Sequence, residues 1–150
     1  NIIIEKNVLI FHPETIKFGN NIYIGHNTII KSYYKGSICI DDNTWIGQNC
    51  FFHGAGNIDI GNSVGFGPGV SIITSFHEYY KKNKSIIKNK IIFKGVHVGS
   101  GSDIGIGSKI LPGVKIGKGC MIGAGSVVNI NIPDYYLAAG NPVKLIKKIN

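Results

Sequence analysis

Bulky β-branched residues recur every six positions along this chain. Ile92, Val98, Ile104, Ile110, Ile116, Ile122 and Val128 form an unbroken series. Four residues after each of the first six stands Val96, Ser102, Ser108, Val114, Cys120 or Ser126, each small enough to pack beside the larger residue. Gly stands directly after four of the aliphatics, at 99, 105, 117 and 123. Six steps of about 100° return an α-helix to a different face, so a helix cannot bury this series. A long two-residue alternation would also use it poorly, because it needs polar and apolar residues in turn. A short strand followed by a corner does use it. Three such units make a triangular coil of about 18 residues, and stacked coils bury the aliphatics in one ladder with parallel strands on three flat faces.

The same count works upstream with interruptions: Phe18, Ile24, Ile30, then Ile40, Ile46, Phe52, then Ile60, Phe66, Ile72. Each break predicts a loop pushed out from the prism. The first runs from Lys31 to Ser37, and the second carries His53, Gly54, Ala55, Gly56 and Asn57. The third, about 73–91, holds His77, Glu78, Tyr79, Tyr80 and five Lys, at 81, 82, 84, 88 and 90. A loop of that length in a compact repeat is more often functional than incidental. The period ends at Pro133. The remainder, about 133–150, reads as a turn at Asn141-Pro142 followed by a short amphipathic helix from Val143 to Ile149 that caps the open end.

Composition narrows the chemistry. The chain has 150 residues, with 29 Ile and 21 Gly but only four Ala, four Leu and three Glu, which excludes a helical bundle. This length suits one domain, 1–150. No apolar run approaches the roughly 18 to 20 residues of a membrane span, so no stable membrane insertion is expected. Sixteen Lys oppose eight acidic residues, for a net charge of +8, and there is no Arg. That surplus fits a phosphorylated small molecule, an anionic surface or nucleic acid. Without Arg the bidentate reading of guanine is lost, and nucleic acid is not expected as a partner. Cys39, Cys50 and Cys120 are odd in number, far apart and without CxxC spacing, which points to a reducing cytoplasm rather than a disulfide framework.

The run Ile110-Leu-Pro-Gly-Val-Lys-Ile-Gly-Lys-Gly-Cys-Met-Ile-Gly-Ala-Gly-Ser-Val-Val128, followed by Ala139-Gly-Asn-Pro-Val-Lys144, resembles the C-terminal signature of the hexapeptide-repeat acyltransferases. The resemblance is closest to the branch with galactoside, maltose, xenobiotic and polysaccharide O-acetyltransferases. It implies a left-handed parallel β-helix, a homotrimer, acetyl-CoA as co-substrate without a metal, and a small sugar acceptor. It also implies that His77, in Ser75-Phe-His77-Glu, is the general base. By the same resemblance, Gly105 and Ala124 meet the pantetheine, and Asn129, Lys144 and Lys147 meet the adenine and phosphates of CoA. Asn49 resembles an acceptor-binding Asn. His53 is a rival base or an acceptor contact, since a His in a comparable loop serves the sugar-nucleotide N-acetyltransferases.

The remaining candidates divide between function and plain solvation. Glu78 orients His77 or contacts the acceptor, and Trp45, Tyr79 and Tyr80 stack on a sugar or pack between subunits. Five His, at 12, 26, 53, 77 and 97, include no close pair for a γ-carbonic-anhydrase-like zinc site. Amino-sugar N-acetylation and a noncatalytic binding solenoid are the alternatives to sugar O-acetylation.

Overall fold

In the computed structural model, residues 1–33, 35–80 and 85–149 are described. Lys81, Lys82 and Lys84 of the predicted basic loop lie outside them.

The six-residue register produces three parallel ladders, and the architecture is a left-handed parallel β-helix. On face one, Ile24, Ile46, Phe66, Ile104, Ile122 and Ala138 stand over one another in successive coils. On face two the ladder is Ile10, Ile30, Phe52, Ile72, Ile110 and Val128. On face three it is Phe18, Ile40, Ile60, Val98 and Ile116, with Ile132 bridging beyond. All but Ile10 and Phe18, in the first coil, are buried. The smaller residues of each hexad fill the gaps beside them, and their hydroxyls are satisfied by the next coil: Thr28 donates to Gly47 O at 2.9 Å, and Ser102 to Gly117 O at 2.9 Å. A buried polar atom left without such a partner would oppose folding.

The chain turns between faces one and two through left-handed backbone at Asn7, Asn27 and Asn49, and later at Gly69, Gly107 and Gly125. Asn and Gly are the residues that tolerate this conformation. All three sequence breaks fall at a different corner, between faces two and three, where they stack along one edge of the prism.

Two expectations are corrected. Ile92, the first member of the unbroken series, is not in a ladder. It lies in an extruded antiparallel ribbon, Ser75–His77 paired with Ile91–Phe93, and the prism resumes with Val96–Val98. The C-terminal helix is absent: Tyr136–Ala139 adds in parallel to face one, and Lys144–Lys148 folds back antiparallel on it. The end of a parallel sheet exposes a row of unpaired N–H and C=O groups, which a returning strand satisfies. A helix of this length has too few internal hydrogen bonds to compete.

Candidate active site

The extruded ribbon leaves the prism and returns at one point, where Lys94 N–H donates to Thr74 O at 2.9 Å. Thr74 is buried, and its hydroxyl ties the foot of this arm to the corner beneath. It donates to His53 O at 2.6 Å and accepts from Gly56 N–H at 2.8 Å. A Cβ at Gly56 would strike the Thr74 carbonyl, so the absence of a side chain there permits the close approach.

Ser75 pairs with Phe93 and His77 with Ile91, so the pleat places these four on one side of the ribbon and Phe76 on the other. His77 is half-buried, with Nδ1 3.1 Å from the carbonyl oxygen of Asn89. A carbonyl only accepts, so Nδ1 carries the proton and donates, and Nε2 of the neutral ring is left with its lone pair. Asn89 is itself held, its side-chain amide donating to Glu78 O at 2.7 Å, while Glu78 N–H donates to Lys90 O at 2.9 Å. The Asn89 main-chain carbonyl thus fixes the His77 ring from its Nδ1 side. Sequence reasoning missed Asn89, whose contribution is a carbonyl that any residue possesses.

Between the arm and the stacked loops lies a cleft of about 440 Å³, walled by Tyr33, His53, Asn57, Ser75, Ile91 and Phe93 among others. His53 stands in register between Lys31 and Ile73 on face two. Its ring centroid is 5.0 Å from that of Tyr33, tilted by 56°. His53 Nδ1 is sealed from solvent and has no hydrogen-bond partner among the described residues. Burial lowers the His53 pKa, and the nearby Lys31 charge acts in the same direction, so the ring is neutral at neutral pH. Tyr33 and Phe93 were not singled out from the sequence. Their signal was positional, because the interruptions all follow a face-two residue and must stack.

The other expected residues separate. Tyr79 and Tyr80 are exposed at the far end of the arm, their rings 4.4 Å apart. Asn49 sits at the corner between faces one and two, with φ of 56° and its N–H on His26 O, and the fold does not bring it to the His53 cleft. Gly105 and Ala124 occupy that corner in neighbouring coils, so close that a Cβ on Gly105 would lie 2.6 Å from Ala124 N. Lys144 reaches the same end of face one, opposite Ala139, whereas Lys147 is opposite Leu137 further along the strand. Asn129 is exposed at the end of face two. Among the described residues, no three His, Cys, Asp or Glu are grouped to hold a metal ion.

Residues 89–129 match the family model for the bacterial transferase hexapeptide, six repeats. No curated protein matches the chain in a sequence search. Among solved structures, AntD, an N-acyltransferase from Bacillus cereus in complex with dTDP and 3-hydroxybutyryl-CoA, is 24% identical with a TM-score of 0.87, covering 100% of this chain and 81% of that one. A maltose O-acetyltransferase from Clostridium difficile 630 is 29% identical with a TM-score of 0.71, covering 100% of this chain and 67% of that one. PerB from Caulobacter crescentus, in complex with CoA and GDP-perosamine, is 20% identical with a TM-score of 0.65, covering 97% of this chain and 58% of that one.

Proposed function

Because this β-helix carries the bacterial transferase hexapeptide in its last coils, we propose that the chain transfers an acyl group, acetyl foremost, from a CoA thioester to a sugar hydroxyl. The observation that carries this reading is the His77–Asn89 hydrogen bond. A sugar hydroxyl is a weak nucleophile at neutral pH, and the lone pair on His77 Nε2 removes its proton as the oxygen attacks the thioester carbonyl. The tetrahedral intermediate then collapses, the C–S bond breaks, and the imidazolium returns the proton to the departing thiolate.

O-acylation is favoured by charge. No Asp or Glu is among the residues lining the cleft, and Lys31 adjoins His53, so the ammonium of an amino sugar finds no counter-charge there. The second reading, N-acylation, draws on the likeness to AntD and PerB. A thiol-release assay with acetyl-CoA against neutral sugars and amino sugars decides between them. Turnover confined to amino sugars would overturn the O-acyl reading, and thiol release with neither class would overturn both.

For the donor, the close-packed backbone at Gly105 and Ala124 suits a thin pantetheine arm, with Lys144, Lys147 and Asn129 toward the nucleotide end. Lys heads serve phosphates as point charges. Lys144→Ala and Lys147→Ala are each expected to raise KM for acetyl-CoA by several-fold with little change in kcat or in acceptor KM, because a contact made equally in ground and transition states acts on binding alone. Initial rates over both substrates, at low and high salt, check this.

The assembly we propose is a homotrimer. Its support is the outward rows of the prism. Face one presents the row Ile3, Tyr23, Trp45, Gly65, Asp103, Met121 and Leu137, apolar but for Asp103. Face two presents Leu9, Ile29, Phe51 and Val127 among its outward residues, and face three presents Lys17, Cys39, Asp59, His97 and Lys115. Trp45, 42% exposed, lies flat on Tyr23 at 5.6 Å. Packing of faces one and two around a three-fold axis covers the apolar rows and leaves the polar face in water. Light scattering at micromolar concentration is expected to give three times the chain mass, and an active monomer would refute the arrangement.

A further inference from the structure

His53 lines the cleft, His77 stands on the same side of the ribbon as the Ser75, Ile91 and Phe93 that wall it, and the hydrogen-bonding situations of the two rings are opposite. His77 has its proton fixed on Nδ1 by a carbonyl. His53 has a buried Nδ1 with nothing to donate to or accept from among the described residues. A buried N–H without an acceptor is rarer in folded proteins than an acceptor left short, so the neutral His53 ring places its proton on Nε2. No hydrogen bond engages that nitrogen among the described residues.

We propose that His53 is a specificity-determining hydrogen-bond donor of the acceptor subsite. Its Nε2–H binds an oxygen of a neutral sugar ring lodged against Tyr33 and Phe93, with the Ser75 hydroxyl and Asn57 amide at hand for further hydroxyls. The subsite is built by one chain, from three stacked corners and the arm. This rests on the reading of the chain as a sugar acyltransferase, and it names the part of the site that recognises the acceptor.

Three observations support it. The volume, about 440 Å³, is within the range of small-molecule sites. The walls combine exposed apolar surface, Phe93 at 57% and Ile91 at 43%, with a few polar groups, which matches a sugar's C–H faces and hydroxyl edges. Burial and the Lys31 charge keep the imidazole neutral, so it hydrogen-bonds without adding a charge to the cleft.

The test has two readouts. Nitrogen-15 NMR of the histidine rings in the unliganded protein at pH 7.5 is expected to show His53 protonated at Nε2 and His77 protonated at Nδ1. The opposite His53 tautomer overturns the proposal. In kinetics, His53→Phe fills the same space without a donor and is expected to raise acceptor KM about tenfold, the weight of one hydrogen bond, with KM for acetyl-CoA unaltered. His53→Gln supplies an amide N–H at similar reach and restores most of that loss. If Gln is no better than Phe, or if both variants lose kcat rather than acceptor KM, His53 is not a donor to the acceptor. Should no sugar be acylated at all, the proposed function fails on its own account. Titration of the His53 nitrogen signals with glucose, galactose and N-acetylglucosamine then decides the subsite, with no perturbation by any of them overturning it.

Discussion

Replacing His77 with Ala is expected to lower kcat by 10²- to 10⁴-fold, the usual weight of a general base, equivalent to about 3–5 kcal/mol of transition-state stabilisation. Folding should be unaffected. His77 is on the arm, whose two ends meet at Thr74 and Lys94, and none of the three ladders includes it. KM for acetyl-CoA should also hold, because Gly105, Ala124 and Lys144, three of the residues proposed to meet CoA, are at another corner. Steady-state kinetics beside a melting curve of the variant separate these effects. Near-normal kcat in His77→Ala, with His53→Ala inactive, would move the base to His53 and reverse the tautomer assignments of both rings.

The second large effect is on stability. Ile116 is fully buried in the face-three ladder between Val98 and Ile132. Ile116→Asp puts a carboxylate there with no partner. Such a group is protonated at the expense of stability or drags water inward, at a cost above about 4 kcal/mol, a large part of the 5–15 kcal/mol that holds a typical domain. Lys118 is two residues on and exposed, its backbone rather than its side chain serving Asp134 and Tyr135. Lys118→Asp should cost no more than about 1 kcal/mol, from its new charge near Asp134. Thermal melts are expected to place Ile116→Asp lower by at least about 10 °C, or to find it unfolded, and equal melting points would contradict the six-residue register.

These two variants probe parts of the molecule that were unequally legible. The prism was readable because one bulky β-branched residue per six satisfies no other regular structure, and every ladder residue from Phe18 to Val128 fell where counting put it, apart from Ile92. Ile92 misled because an antiparallel ribbon also wants β-branched residues and imposes its own period of two. The tail misled because Val143 to Ile149 has a helix-compatible pattern, while its fate was decided by an unpaired sheet edge that no local pattern reveals. His77 is singled out in the sequence by its loop, whereas the group bonded to its Nδ1 is a main-chain carbonyl. The neighbours of His53 come from three different coils, so their convergence is a property of stacking rather than of any one motif.

The arm leaves and re-enters the coil at a single hydrogen bond, and Val96 still falls into register with Ile58 as though nothing had been inserted. For the barrel, then, the arm is a closed parenthesis. Its thermodynamic burden is chiefly the entropy of joining two ends already side by side, which grows by only about 0.6 kcal/mol for each doubling of length. Arms of very different length and sequence can therefore be carried on an unchanged barrel. Evolution can revise what this protein accepts without reopening the question of how it folds.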